Sequence, residues 1–192
     1  MGLWDALRGQ SRPRKANLDA LFGLPSAALT LEAAMGLQPT GAGSVCFRAA
    51  EGQAAADTQA EAVALVAADG GPATESRVDE YGYTWLTVRA APEDVSSLVT
   101  DLHAVNSALE VQGFGTGLLC STVGFRDRAA PTTGPVYVVY LYKQGTFYPF
   151  CPTGPTRRDT LRERQVRDVV GSDLPVEPDT ARWMPIWGIT DG

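Results

Sequence analysis

One histidine and three cysteines are the residues of this chain best suited to chemistry: His103, Cys46, Cys120 and Cys151. An imidazole can act as a general base, and a thiolate as a nucleophile or soft-metal ligand. Either task needs partners. A base must reach a nucleophile and be oriented by a third group. His103 sits one position beyond Leu102, between Asp101 and Asn106, and no spacing ties it to Ser121, to Cys120 or to a carboxylate. It reads as a structural histidine at the margin of a helix stripe. The cysteines are odd in number, widely separated and each in an apolar context, with neither zinc nor redox spacing. Buried reduced thiols are expected, with no metal and no cofactor. Gly113, Gly115 and Gly117 follow a helix pattern and precede a strand. A dinucleotide loop must instead lead into a helix N-terminus, so this run reads as a turn. No phosphate-binding loop, zinc signature or nucleophile elbow occurs. Asp79-Glu80 and Glu93-Asp94 fit a solvated turn and a helix start. No catalytic residue is assigned.

The elements that hold these residues follow from periodicity. Residues 134–150 read GPVYVVYLYKQGTFYPF. Both faces of the first half are apolar or aromatic, the pattern of a strand covered on both sides. Lys143-Gln144-Gly145 turns the chain, and a second strand returns until Pro149 and Pro152 end it. This hairpin is taken as the centre of a sheet. Upstream, Asn17 is read as the cap of a short helix broken at Gly23, and Leu24, Ala28, Leu31 and Met35 mark the next helix. A glycine-rich loop then leads to a strand at 44–48. Residues 54–68 form an alanine-rich helix with a stripe at Ala56, Ala60, Val63 and Ala67. Strands at 75–80 and 83–89 precede the clearest helix. Pro92-Glu93-Asp94 opens it, and Val95, Leu98, Val99, Leu102, Val105 and Leu109 form its stripe. A strand at 117–125 comes before the hairpin. The last helix is expected over 157–170, with Leu161, Val166, Val169 and Val170 on one half and Arg157, Arg164 and Arg167 on the other. Strands interrupted by single helices predict an α+β fold, a mainly antiparallel sheet with helices packed on it. Leu98, Leu102, Val139 and Leu141 are expected in its core.

With 192 residues, 44% of them hydrophobic, a single domain can bury roughly 70% of its unfolded surface. The expected organisation is a flexible basic N-terminal segment at 1–16, one α+β domain at 17–171, and a C-terminal tail at 172–192 docked on it. Net charge is −6, from 16 basic and 22 acidic residues. Residues 51–110 hold eleven acids against Arg77 and Arg89. That imbalance argues against a nucleic-acid surface, which needs a basic face. No aliphatic run approaches the ~20 residues of a membrane span, and the N-terminus lacks the apolar core of a signal peptide. A cytoplasmic protein is expected, with at most peripheral membrane contact.

Three features suit a partner. Leu3, Trp4 and Leu7 stand beside Arg8, Arg12, Arg14 and Lys15, either a weak anchor or a frayed terminus. Arg157, Arg164 and Arg167 form either a solvated face or a docking face for an acidic partner. Trp183, Met184, Ile186 and Trp187 will not stay in water unaided, so this tail must pack on its own domain or on another protein.

Several stretches together resemble one family. They are LDALFGLPSAALTL at 18–31, DEYGYTW at 79–85, LVTDLHAVNSAL at 98–109, VYLYKQGTFYPF at 139–150 and RWMPIWG at 182–188. Spread over almost the whole chain, they resemble PspAB, the actinobacterial proteins associated with phage shock protein A. The resemblance implies a cytoplasmic accessory protein of the envelope-stress system built around PspA, a coiled-coil protein of the membrane surface. It brings no catalytic residues. The element order of the second half also resembles type III secretion chaperone and YbjN-like folds, from which the helix at 54–68 departs. The leading expectation is thus a non-enzymatic adaptor for a PspA-type protein, with Arg157, Arg164, Arg167, Trp183 and Trp187 as candidate contact residues. The alternative is a small-molecule-binding domain or enzyme of unknown substrate. A deep apolar pocket with convergent polar groups would favour the alternative, and a shallow face with exposed aromatics the adaptor.

Overall fold

The computed structural model describes residues 16–48, 55–68, 70–130 and 132–189. The expectations for Trp4 and the basic residues of 1–15 lie outside the described residues. Six strands form one antiparallel sheet: β1 (Leu37–Arg48), β2 (Glu75–Val78), β3 (Tyr83–Arg89), β4 (Leu118–Asp127), β5 (Val136–Leu141) and β6 (Thr146–Phe150). Their order is β2-β3-β1-β4-β5-β6, so the α+β class holds. The β5–β6 hairpin, however, is one flank of the sheet and not its centre, which is held by β1 and β4. The reason lies in residues 37–43, expected as a loop. They are the first half of a 12-residue strand. Gln38, Pro39, Thr40 and Gly41 hide it because they break the alternation of a half-buried strand. The strand accommodates them with a bulge between Pro39 and Gly43 in its pairing with β4.

Four helices, α1 (Leu24–Met35), α2 (Ala55–Ala68), α3 (Val95–Val111) and α4 (Thr160–Val170), complete the described chain, with a small strand pair, β7 (Pro152–Gly154) and β8 (Arg157–Arg158). The sheet separates two clusters. Val45, Phe47, Leu86, Val123, Phe125, Val138 and Tyr140 face the helices, where Leu24, Leu31, Leu98, Leu102, Val105, Leu109 and Val166 meet them. Cys46, Trp85, Cys120, Tyr137, Val139, Tyr148 and Phe150 face the other way and are joined by Trp183, with no residue of α1–α4 among them.

Several local expectations are corrected by packing. Gly23 does not break a helix: a 3₁₀ turn at Leu18–Gly23 runs directly into α1, and Asn17 makes no side-chain cap. A Cβ at Gly23 would stand 2.9 Å from the Asp173 carbonyl oxygen, so this glycine permits close approach of a neighbouring turn. Among the described side chains of α2, Ala62 and Val66 are buried, Val63 is half-buried, and Ala60 and Ala67 are exposed; the expectation for the Ala56 side chain lies outside them. The helix α3 starts at Val95, with Asp94 as its N-cap accepting from the Ser97 N–H at 3.0 Å. Leu141 is only half-buried, and Leu161 is exposed.

The continuous helical stretch Leu18–Met35 has the length and hydropathy of a membrane span. Its apolar residues Leu21, Leu24, Ala28 and Leu31 are buried in the helix-side core, which is the position of a core helix in a folded domain. The stripe of α3 is buried from Val95 to Leu109. Leu102 lies against the glycine of β1, where a Cβ on Gly43 would come within 2.9 Å of Leu102 Cδ1. Leu102→Ala is expected to lower stability by about 2–5 kcal/mol. Urea denaturation checks it, and a loss under ~0.5 kcal/mol would contradict this packing.

Candidate functional site

The residues best suited to chemistry are held apart. Ser121 lies on the helix side, where its hydroxyl accepts from Asn106 Nδ2 at 2.8 Å. Cys120 lies on the opposite face. His103 projects from α3, with Nε2 3.7 Å from Asp19 Oδ1 and Nδ1 3.5 Å from Ser107 Oγ. Both distances exceed the reach a base needs for its nucleophile and orienter, and the Asp19 side chain is 88% exposed. His103 instead packs on Phe22, ring centroids 5.2 Å apart. Cys46 and Cys120 are cross-strand partners in β1 and β4. A hydrogen bond donated by the Cys46 thiol to Cys120, together with burial, pushes the Cys46 thiol up. Burial pushes Cys151 up to about 12. Protonated, buried thiols are poor nucleophiles. Among the described residues no group of three or more His, Cys, Asp or Glu could hold a metal ion.

What covers the open sheet face is the C-terminal tail. Val176 runs parallel to β6, with Phe147 N–H donating to the Pro175 carbonyl at 2.9 Å and Glu177 N–H to the Phe147 carbonyl at 2.8 Å. The tail therefore occupies the free edge of β6 as a seventh strand would, which removes an exposed edge. Trp183 stacks on Tyr148 at 6.2 Å, and its indole N–H donates to the Glu177 carbonyl at 3.0 Å. Trp187 meets Phe150 edge-on at 5.2 Å. Of the two tryptophans, Trp183 is buried and Trp187 half-buried.

A buried ion pair anchors this arrangement. Arg158 Nε donates to both oxygens of Glu163, at 2.8 and 3.0 Å. Glu163 also accepts the Cys151 N–H at 2.9 Å. Arg158 Nη1 reaches the Trp183 carbonyl at 2.7 Å, and the guanidinium lies over the Phe150 ring. One pair thus joins the end of β6, β8, α4 and the tail. Sequence reasoning missed it by placing 157–170 on one helix with an arginine face and giving Glu163 no partner. The available signal was Glu163 itself, three and seven residues before the buried Val166 and Val170. A carboxylate on a helix's apolar face needs a nearby cation.

The candidate arginines are divided by the same geometry. Because α4 begins at Thr160, Arg157 belongs to β8 and not to the helix. Arg157 and Arg164 are exposed, and neither has an ion pair among the described residues. Leu161, 68% exposed, lies on the same outward side of α4 as Arg164. Arg167 is half-buried and bonds Asp168 at 2.6 Å. It also lines a shallow depression shared with Trp183 and Glu177.

Between the tail and the open sheet face lies a cavity of about 440 Å³. Cys46, Trp85, Cys120 and Tyr148 line its floor, Leu119 and Leu141 one wall, and Met184–Trp187 its roof. Asp79, Tyr81, Tyr83, Lys143 and Gln144 complete the lining. No local sequence pattern could have shown this space, because it is made by residues from five strands and the tail.

The family model described as PspAB, PspA associated protein B, matches residues 1–190. No curated protein and no solved structure matches the chain, so the likeness to secretion-chaperone folds is one of element order alone.

Proposed function

Because the chain belongs to the PspAB family, whose name associates it with PspA, we propose that it is a non-enzymatic accessory protein that binds a PspA-type coiled-coil partner in the membrane-stress response. It acts in the cytoplasm and reaches the inner face of the membrane only through that partner. The observation that carries this reading is the outward side of β8 and α4, where Arg157 and Arg164 stand unpaired among the described residues beside exposed Leu161. Coiled coils carry rows of charged residues flanking their apolar seam. An acidic row would meet these arginines, with Leu161 giving an apolar contact at the centre. The buried Cys46 and Cys151 thiols, pushed up by their surroundings, support a role without catalysis. Trp183 is engaged by its own domain, which leaves Trp187 and Met184 as the tail residues open to a partner.

The test is a titration of the PspA-type protein from the same host. Changing Arg157, Arg164 and Arg167 together to glutamate should weaken binding by about tenfold or more, equivalent to ~1.4 kcal/mol or more, and added salt should weaken the wild-type complex. The melting temperature should change little, since exposed ion pairs contribute less than ~1 kcal/mol each. Binding indifferent to both the substitutions and salt would remove this face from the interface.

A further inference from the structure

The partner surface on α4 leaves the cavity under the tail without a role. At about 440 Å³ it falls within the ~300–1,000 Å³ typical of small-molecule pockets. Its polar atoms are largely turned on one another. Asp79 Oδ1 accepts the Tyr81 and Tyr83 N–H groups, both at 2.9 Å, and Oδ2 accepts the Trp85 indole at 2.8 Å. The Tyr148 hydroxyl donates to the Met184 carbonyl at 2.8 Å, and the thiols of Cys46 and Cys120 face each other. What remains toward the cavity is mainly hydrocarbon and aromatic ring. Lys143 is the one cation of the lining. It is exposed at the β5–β6 turn and has no ion pair among the described residues.

The shape of this space selects its occupant. A peptide strand cannot be added, because the cavity lies on a sheet face whose backbone groups are already paired, and strand addition needs an edge. The amides of an enclosed peptide would lose water without gaining partners, at a cost of about 1–3 kcal/mol for each group. A helix, roughly 10–12 Å across with its side chains, would have to displace the roof. That roof is fixed at both ends, by Tyr148 to the Met184 carbonyl and by Arg77 Nη2 to the Gly188 carbonyl at 2.5 Å. A hydrocarbon chain has no polar group along its length and needs no such displacement. Both Asp79 oxygens are occupied by neutral donors, so Lys143 is the charged group of the lining left free to pair with a head group.

We propose that this cavity binds a single acyl chain bearing an anionic head group. The chain lies between the Trp85 and Tyr148 floor and the Ile186 and Trp187 roof, and the head group pairs with Lys143 at the rim. A free fatty carboxylate and a single-chain anionic phospholipid share this chemistry.

The experiment uses the full chain, titrated with hexadecanoate and separately with lysophosphatidylglycerol, each below its micelle concentration. Calorimetry and tryptophan fluorescence are read together, since Trp85 and Trp187 both line the space. At least one ligand should bind saturably at one per chain, and the tighter of the two identifies the head group. Octanoate and hexadecyltrimethylammonium should bind at least tenfold more weakly. Lys143→Glu should weaken binding about tenfold with an unchanged melting curve. Ile186→Trp, which fills the space from the half-exposed roof, should abolish it, and Leu141→Phe gives a second filling variant if the first fails to fold. Glutamate at Arg157 and Arg164 should leave acyl binding intact, so this proposal and the partner surface fail independently. The proposal is overturned if neither ligand saturates, if the cationic amphiphile binds as tightly, or if both the filling and Lys143 variants bind like wild type. Adhesion to phosphatidylglycerol vesicles without single-chain binding would equally overturn it.

Discussion

Glu163→Ala is expected to destabilise the protein by about 3–5 kcal/mol, because it removes one member of a buried ion pair. Glu163 is 2% exposed, and the Arg158 side chain only 18%. Without the carboxylate, the guanidinium stays enclosed against Phe150 with no counter-charge, and the Cys151 N–H loses its acceptor. Total stability of a domain is about 5–15 kcal/mol, so much of this protein should unfold at mild denaturant. Glu163→Gln keeps an acceptor and should cost less. Replacing both partners, Arg158→Met with Glu163→Leu, should recover most of the loss, since an apolar pair of similar volume leaves no orphaned charge. Urea titrations of the three variants separate these cases. A loss below ~1 kcal/mol for Glu163→Ala would mean that the pair is solvated and is not the anchor described above.

The second large effect is expected at Trp183. Its replacement by alanine should cost about 3–5 kcal/mol, the usual range for a buried aromatic. The indole contributes its stacking on Tyr148 and its bond to the Glu177 carbonyl. Glu177 is itself buried, and Thr146 Oγ1 donates to it at 2.7 Å. Ordering the tail costs ~1–2 kcal/mol per residue of backbone, so its largest apolar contact decides whether it stays down. Loss of the tail would also free the edge of β6. Limited proteolysis should therefore cut the variant between 175 and 189 at protease levels that leave the wild type intact. Trp183→Phe keeps the ring and loses the indole bond, at about 1 kcal/mol. Equal protease resistance of wild type and Trp183→Ala would show that the tail is held by Trp187 and the backbone bridge alone.

How much of this was legible in the sequence depends on the range of the interaction. The stripe of α3, from Val95 to Leu109, was readable because helix periodicity is local and each of its residues is buried. The β5 pattern revealed a strand covered on both faces, yet not its neighbours. Strand order is set by pairing across long separations, and β1 joins Val45 to both Leu86 and Ser121. In β1 itself, Pro39 and Gly41 masked a strand because bulges obey no period. The helix at α4 was read too long by three residues. Arg157 and Arg158 are good helix formers by propensity, and only the pairing of β7 with β8 and the Asp159 cap, which accepts the Arg162 N–H at 2.9 Å, place the start later. The tryptophans of the tail announced that they must be covered. Which side of the sheet they would cover followed only once all the helices lay on the other.

Hydrogen exchange of the chain, alone and saturated with the PspA-type protein of its host, tests the central claim most directly. The account predicts that added protection concentrates at residues 155–168, spanning β8 and the first turns of α4, and that it disappears when Arg157 and Arg164 are changed to glutamate. Protection confined to other segments, or a saturated mixture with no change at 155–168, would contradict it.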